Sequence, residues 1–109
     1  MLLIGRRDAV TEHDEVAVGI AWYRETDYPI LQSMFEDGQV LPANYQEWLV
    51  KAQAAEDQVR RAGQIVERVF IEPVSFPRWC ESHGLSMDAK ARTRFACEEA
   101  RMRHGGTPS

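Results

Sequence analysis

The chain has 109 residues, 44% of them hydrophobic, with 13 Lys and Arg against 17 Asp and Glu, five Pro, seven Gly and two Cys. A chain of this length buries roughly two-thirds of its unfolded surface, enough for one core and too little for two domains, and its apolar content argues against disorder throughout. No apolar run approaches the ~18 residues that span a bilayer; the longest candidate, Val16 to Tyr23, has only the length of a strand, so no membrane association is expected. Met1-Leu2-Leu3-Ile4 runs into two arginines and then acids, without the basic start, long apolar middle and small-residue cleavage site of a signal peptide. A cytoplasmic location is the expectation.

The formal charge of −4 is unevenly spread: residues 1 to 50 carry nine acids and three bases, residues 51 to 109 eight acids and ten bases. Such a dipolar chain is far from the strongly basic balance of a general nucleic-acid binder. Cys80 and Cys97 cannot build a multi-bridge framework, and no CxxC pair exists for a zinc ribbon or redox motif. They read as two reduced, half-buried thiols.

Residues 1–15 show no sustained period and read as a mobile N-terminal arm. The alternatives are a short extra strand at Leu2 to Ile4 or a start codon assigned too far upstream. A single α/β domain is expected over 16–103, and residues 104–109 are expected to be a disordered C-terminal tail. Val16 to Tyr23 alternates larger side chains at 16, 18, 20 and 22 with small ones at 17, 19 and 21. This predicts strand one, with a bulky face and a thin face that lets a helix or another backbone approach closely.

Asp27 or Thr26 then stands where a helix N-cap belongs, and Tyr28-Pro29 fits a first helical turn. Helix one runs to about Glu36, with Ile30, Leu31, Met34 and Phe35 as its apolar stripe, and stops at Asp37-Gly38. Asn44-Tyr45-Gln46-Glu47 is a capping-box variant that opens helix two. Tyr45, Trp48, Leu49, Ala52, Ala55 and Val59 recur three and four apart on it, while Glu47 to Lys51, Glu56 to Arg60 and Asp57 to Arg61 are well-oriented pairs on the outside. Arg60 and Arg61 complement the negative C-terminal dipole, and Gly63 is the C′ residue.

Ile65 to Ile71 is strand two, apolar on both faces and therefore covered on both sides. Ser75-Phe76-Pro77 opens a third helix that carries Phe76, Trp79 and Cys80 inward and ends at Gly84. Ser86 caps a fourth, which buries Met87, Ala91, Phe95 and Met102 and sets Asp88 to Arg92 and Glu99 to Arg103 outside. The order is strand-helix-helix-strand-helix-helix, with two parallel strands covered by helices, because a helical crossover joins parallel neighbours.

Local chemistry recurs at an offset of 48: Trp22 to Pro29 aligns with Phe70 to Pro77, from an initial aromatic to the triplets Asp27-Tyr28-Pro29 and Ser75-Phe76-Pro77. A twofold internal repeat is one reading. Convergence of two strand-to-helix junctions on the same capping solution is the other. Two strands alone make a poor sheet, which points to a homodimer whose protomers extend or stack their sheets into one core. Trp48→Ala is expected to cost ~3 to 5 kcal/mol.

Gly19 to Tyr23, Asp27-Tyr28, Tyr45 to Leu49 and Gly84 to Asp88 together resemble small uncharacterised bacterial proteins, a domain of unknown function. These share a Gly-Ile-Ala-Trp-Tyr strand, an Asp-Tyr helix start, a Tyr-x-x-Trp-Leu helix and a Gly-Leu-x-x-Asp opening to a final helix. The resemblance covers residues 16 to about 103 and implies no activity, catalytic residue or cofactor.

Three constellations carry chemistry. Cys80 and His83 lie one helical turn apart, but a zinc site needs three or four ligands and a nucleophilic thiol an orienting third group. No metal, catalytic set or cofactor is assigned. Trp22, Tyr23, Arg24, Glu25 and Glu72 gather where the two strands end, the place at which open parallel sheets hold ligands. There Arg24 would hold a small polar ligand or a peptide carboxylate, with Tyr23 and Trp22 as walls; the alternative is an Arg24–Glu72 surface ion pair. Lys90, Arg92, Arg94, Arg101 and Arg103 make the last helix basic, but Glu98 and Glu99 interrupt it and nucleic acid is not the favoured partner. The expectation is a non-enzymatic cytoplasmic interaction or regulatory module, homodimeric and aimed at an unknown protein partner. A small-ligand binder or enzyme at the strand ends, and nucleic-acid binding through the last helix, are the alternatives.

Overall fold

In the computed structural model, which describes residues 17–103, the β-branched and small residues near the start of the domain form strand β1, Val18–Trp22. It leads through a 3-10 turn at Glu25–Asp27 into α1, Tyr28–Met34, and through a second at Gly38–Val40 into α2, Tyr45–Arg61. Strand β2, Val66–Phe70, then precedes α3, Ser75–Ser82, and α4, Ala89–Arg103. The architecture is α/β, four helices about two parallel strands, as the patterning implied. The expectations for the arm at 1–15, for Val16 and for the tail at 104–109 lie outside the described residues.

The strands pair in a register that sets Val18 against Val66, Ile20 against Arg68 and Trp22 against Phe70. The Val18 N–H donates to the Ile65 carbonyl at 2.8 Å and the Ile71 N–H to the Trp22 carbonyl at 2.9 Å. Paired residues in a parallel ladder share a face. One face therefore carries Val18, Ile20, Trp22, Val66, Arg68 and Phe70, and the other Ala17, Gly19, Ala21, Glu67, Val69 and Ile71.

Helix α4 covers the second face, and the thin side of β1 explains how closely. A Cβ built on Gly19 would collide with the Ala96 carbonyl oxygen and lie 2.9 Å from the Ala100 Cβ. The helix lays its own small residues, Ala96 and Ala100, onto this strip, and both are fully buried. That choice rotates Met102, expected inside, out to solvent. It also turns Arg92 inward, where it is not the expected surface partner of Asp88. Asp88 instead caps the helix, its Oδ1 accepting from the Ala91 N–H at 3.0 Å, so α4 begins at Ala89 and not after Ser86.

Helix α2 covers the first face. Asn44 caps it as expected, its Oδ1 accepting from the Glu47 N–H at 2.9 Å, and Gly63 and Gly84, both at positive φ, follow α2 and α3. Trp48 is buried, but Ala55, expected in the stripe, is exposed and Glu56 is inside. On α1, Ile30 faces solvent and Tyr28 takes the core position, held by its hydroxyl donating to the Pro42 carbonyl at 2.6 Å. Of the expected outer pairs, Glu56–Arg60 forms at 3.2 Å. Arg60 also approaches Asp57 at 3.7 Å, and Arg103 turns to Glu67 at 3.3 Å instead of Glu99.

Candidate functional site

The carboxyl ends of β1 and β2 are filled by the chain itself. Trp22 and Tyr23 are 2% and 3% exposed. Trp48 sets its ring centroid 5.1 Å from that of Trp22 and 4.7 Å from that of Tyr23. Tyr28 and Phe35 close on Tyr23 from α1 and the residue after it, and Phe76 reaches Phe35 and Phe95. Aromatic pairs at these separations add attraction beyond the area they bury. Trp22 and Tyr23 are thus core side chains at the sheet end.

Arg24 and Glu72, opposite each other in the same 48-residue register, form an ion pair at 3.0 Å with both side chains about half exposed. Arg24 also lies 4.4 Å over the Phe70 ring and 3.8 Å from Asp27. Glu25, in the 3-10 turn, points to solvent. Of the five residues singled out in the sequence, the structure brings Arg24 and Glu72 together as a pair, buries two and leaves one outside it.

Two partly buried ion pairs were not foreseen, each with one buried partner, Glu56 in the first and Arg92 in the second. On the α2 side, Arg68 Nε and Nη2 donate to the two Glu56 carboxylate oxygens at 2.7 and 2.9 Å. The guanidinium also stacks 4.0 Å over Trp22. Arg68's hydrogen bonds hold the Glu56 carboxyl below the usual carboxylate range against the opposing effect of its burial. On the α4 side, Arg92 donates to both Asp37 oxygens at 2.8 and 3.1 Å and lies 4.3 Å over Phe35. This holds the Asp37 carboxyl down as well. Burial pushes the neighbouring Tyr23 phenol up to about 12, with the Arg92 charge partly opposing. An arginine at mid-strand in Val66-Glu67-Arg68-Val69-Phe70 was the available signal for the first. Nothing local marks the second.

Cys80 is buried, and desolvation raises its thiol pKa, the reverse of what a nucleophile needs. His83 stacks on Trp79 with ring centroids 4.3 Å apart, its Nδ1 donating to the Trp79 carbonyl at 2.8 Å. Among the described residues no group of three or more His, Cys, Asp or Glu side chains is placed to hold a metal ion. On α4, Arg92 is buried, Arg94 pairs with Glu98 at 2.9 Å and Arg103 with Glu67, so the helix presents far less free positive charge than its sequence suggests.

The outer face of α2 is different in kind. Glu47, Val50, Lys51, Ala54, Asp57, Gln58 and Arg61 are all exposed along it. A shallow open depression runs between Lys51 and Arg61, floored by Ala54 and Ala55. Comparison of the chain with protein-family models, with curated proteins and with solved structures gave no match. No helix among the described residues is long and apolar enough to cross a membrane.

Proposed function

We propose that the chain is a non-enzymatic, cytoplasmic protein-interaction or regulatory module that acts as a homodimer. The observation that carries this reading is the closure of the strand ends. Trp22 and Tyr23 are spent on the core, and Arg24 is neutralised by Glu72, which favours a structural role for residues that would otherwise wall and anchor a ligand. Recognition is then left to the helical surface, where Val50 stands 67% exposed on α2. Isolated exposed apolar side chains are ordinary on a monomer, so the dimer rests on the α2 face as a whole.

Membership among the small bacterial proteins of the Gly-Ile-Ala-Trp-Tyr type belongs to the same proposal. Gly19 lies against α4, and Trp22, Tyr23, Tyr28 and Trp48 are core, which supports reading the shared motif as a fold signature. So does the twofold repeat: the strands pair at the same offset of 48 at which the junction chemistry recurs, and Asn44 and Asp88 each cap a helix by accepting from the N–H three residues on.

Light scattering over a concentration series through the micromolar range tests the dimer. A mass that rises to twice that of the chain is expected, and a monomer mass throughout overturns the reading. Arg24→Glu tests the competing ligand site. On the proposed reading it changes stability by at most ~1 kcal/mol and leaves partner capture intact. For nucleic acid, retention that falls steeply with salt would be required, and none is expected.

A further inference from the structure

The charges on the outer face of α2 are arranged symmetrically about one residue. Glu47 and Arg61 stand seven positions either side of Ala54, and Lys51 and Asp57 three positions either side. At 3.6 residues per turn, Glu47 and Arg61 fall within ~20° of the Ala54 direction, and Lys51 and Asp57 ~60° to its two flanks. This face lies opposite the one that Tyr45, Trp48, Ala52 and Glu56 turn to the core. Glu47, Lys51 and Arg61 make no ion pair among the described residues, and Asp57 has only its 3.7 Å approach to Arg60.

We propose that α2 is the dimer surface, packing antiparallel against α2 of a second copy with Ala54 at the twofold axis. In that arrangement Glu47 of each protomer meets Arg61 of the other about 10 Å from the axis at either end. This opposite-charge pair occurs twice by symmetry, as in any isologous interface. The small Ala54 side chain lets the helices approach, and exposed Val50 gains the methylene stem of Gln58 across the contact. A parallel arrangement would set Glu47 on Glu47 and Arg61 on Arg61, so the order of these two charges itself selects the antiparallel one.

Other ways of pairing are obstructed. Helix α4 sits directly over Gly19. A second copy added antiparallel at the β1 edge, about 5 Å away, would bring its own α4 onto the same face and into the first. At the β2 edge, Arg103 Nη1 donates to the Arg68 carbonyl at 3.1 Å, which occupies the backbone acceptor an incoming strand would use. A single helix-on-helix contact is small as interfaces go, and one aligned by exposed charges is sensitive to salt.

The proposal rests on the homodimer reading, and the experiment separates the two. Sedimentation velocity of the full chain is compared with Glu47→Arg, Arg61→Glu and the double exchange, with circular dichroism to confirm folding. Each single reversal sets like charges together twice and is expected to weaken association about tenfold or more. The double exchange restores it. Independently, Ala54→Cys in a Cys97→Ser background is expected to cross-link to its copy on mild oxidation, and Thr93→Cys on α4 in the same background is not. A wild-type dimer indifferent to the reversals and not cross-linked through position 54, or equal cross-linking from α4, overturns the α2 surface and leaves the dimer standing. A wild-type monomer at every concentration overturns both.

Discussion

The Arg68 guanidinium on β2 grips the Glu56 carboxylate of α2 through two hydrogen bonds, and that carboxylate, 3% exposed, is the charge on which α2 is seated against the sheet. Replacing Arg68 by Met keeps much of the stem that covers Trp22 but leaves Glu56 with Arg60 alone, at 3.2 Å. Breaking one side of a buried pair costs more than the pair contributes, because the remaining charge loses its compensation. Arg68 is itself partly exposed and Arg60 remains, so the expected loss is about 2 kcal/mol. Glu56→Leu combined with Arg68→Met is expected to recover most of it. Urea unfolding of the single and double variants measures this, and a single variant within the error of wild type would show the grip to be idle.

Acid should reveal the same pair and its counterpart. Both Glu56 and Asp37 are held below the usual carboxylate range in the folded chain. As pH falls, the unfolded chain takes up these two protons first. The stability they contribute is present in full above the ordinary carboxylate range and is lost as pH falls through the depressed folded values. Glu56→Gln and Asp37→Asn are therefore expected to be less stable than wild type at neutral pH and to lose less on acidification. Parallel stability-against-pH curves for variant and wild type would refute this.

Gly19→Ala is expected to be among the most damaging single-methyl changes in the domain. The new Cβ meets the Ala96 carbonyl oxygen, which belongs to helix backbone and cannot swing aside, and it stands 2.6 Å from that residue's carbonyl carbon. Overpacking of this kind costs roughly 1 to 3 kcal/mol, and the immobility of the contact argues for the upper end. Gly63→Ala supplies the contrast: its Cβ meets nothing within 4 Å and only the positive φ resists, a cost of about 1 kcal/mol. Thermal unfolding that ranked the two the other way would contradict the close seating of α4.

Where structure depends on spacing along the chain, the sequence was legible. Asn44 and Gly63 mark α2 at its two ends, and the thin side of β1 announces a close neighbour that proves to be α4. Where a side chain's place depends on a partner brought in by the fold, it was not. Glu56 sits among outward i,i+4 pairs and reads as surface; it is inside because Arg68, twelve residues on, returns on the sheet beneath it. Arg92 reads as one more charge on a basic helix; it is buried because Asp37, 55 residues away, is waiting for it. The burial of Trp22 and Tyr23 at the strand end was not legible for the same reason, since no spacing rule foresees that Trp48 and Phe35 converge on them.

The Asp37–Arg92 pair makes a sharper demand than Arg68, because Arg92 is only 8% exposed. Asp37→Ala strands its guanidinium beside the Tyr23 phenol, and a loss of about 3 to 5 kcal/mol is expected. Tyr23 offers a second readout. Its phenol, pushed up to about 12 by burial, contributes stability that is intact below the ordinary tyrosine value near 10 and drains away as pH rises through the folded one. Tyr23→Phe is expected to remove one phenol's share of the phenolate absorbance that develops at high pH in the folded chain, burial raising Tyr28 as well, and to flatten the alkaline loss of stability. Survival of that share in the variant would assign it elsewhere.

The two thiols should separate cleanly by reaction with an aromatic disulfide reagent in the native state. Cys97 is exposed on α4, whereas Cys80 is enclosed with Phe76 in the core and its thiol is shifted away from the reactive anion by desolvation. Native protein is expected to titrate one thiol within minutes and the second only on unfolding, at a rate that follows the opening of the domain. Cys97→Ser then removes the fast reaction alone. Trp48→Ala, which takes out the ring touching Trp22, Tyr23, Tyr28 and Tyr45, is expected to accelerate the slow one by weakening the shared aromatic core. Two thiols reacting together in the untouched native chain would mean that α3 opens on its own, and that Cys80 is within reach of chemistry after all.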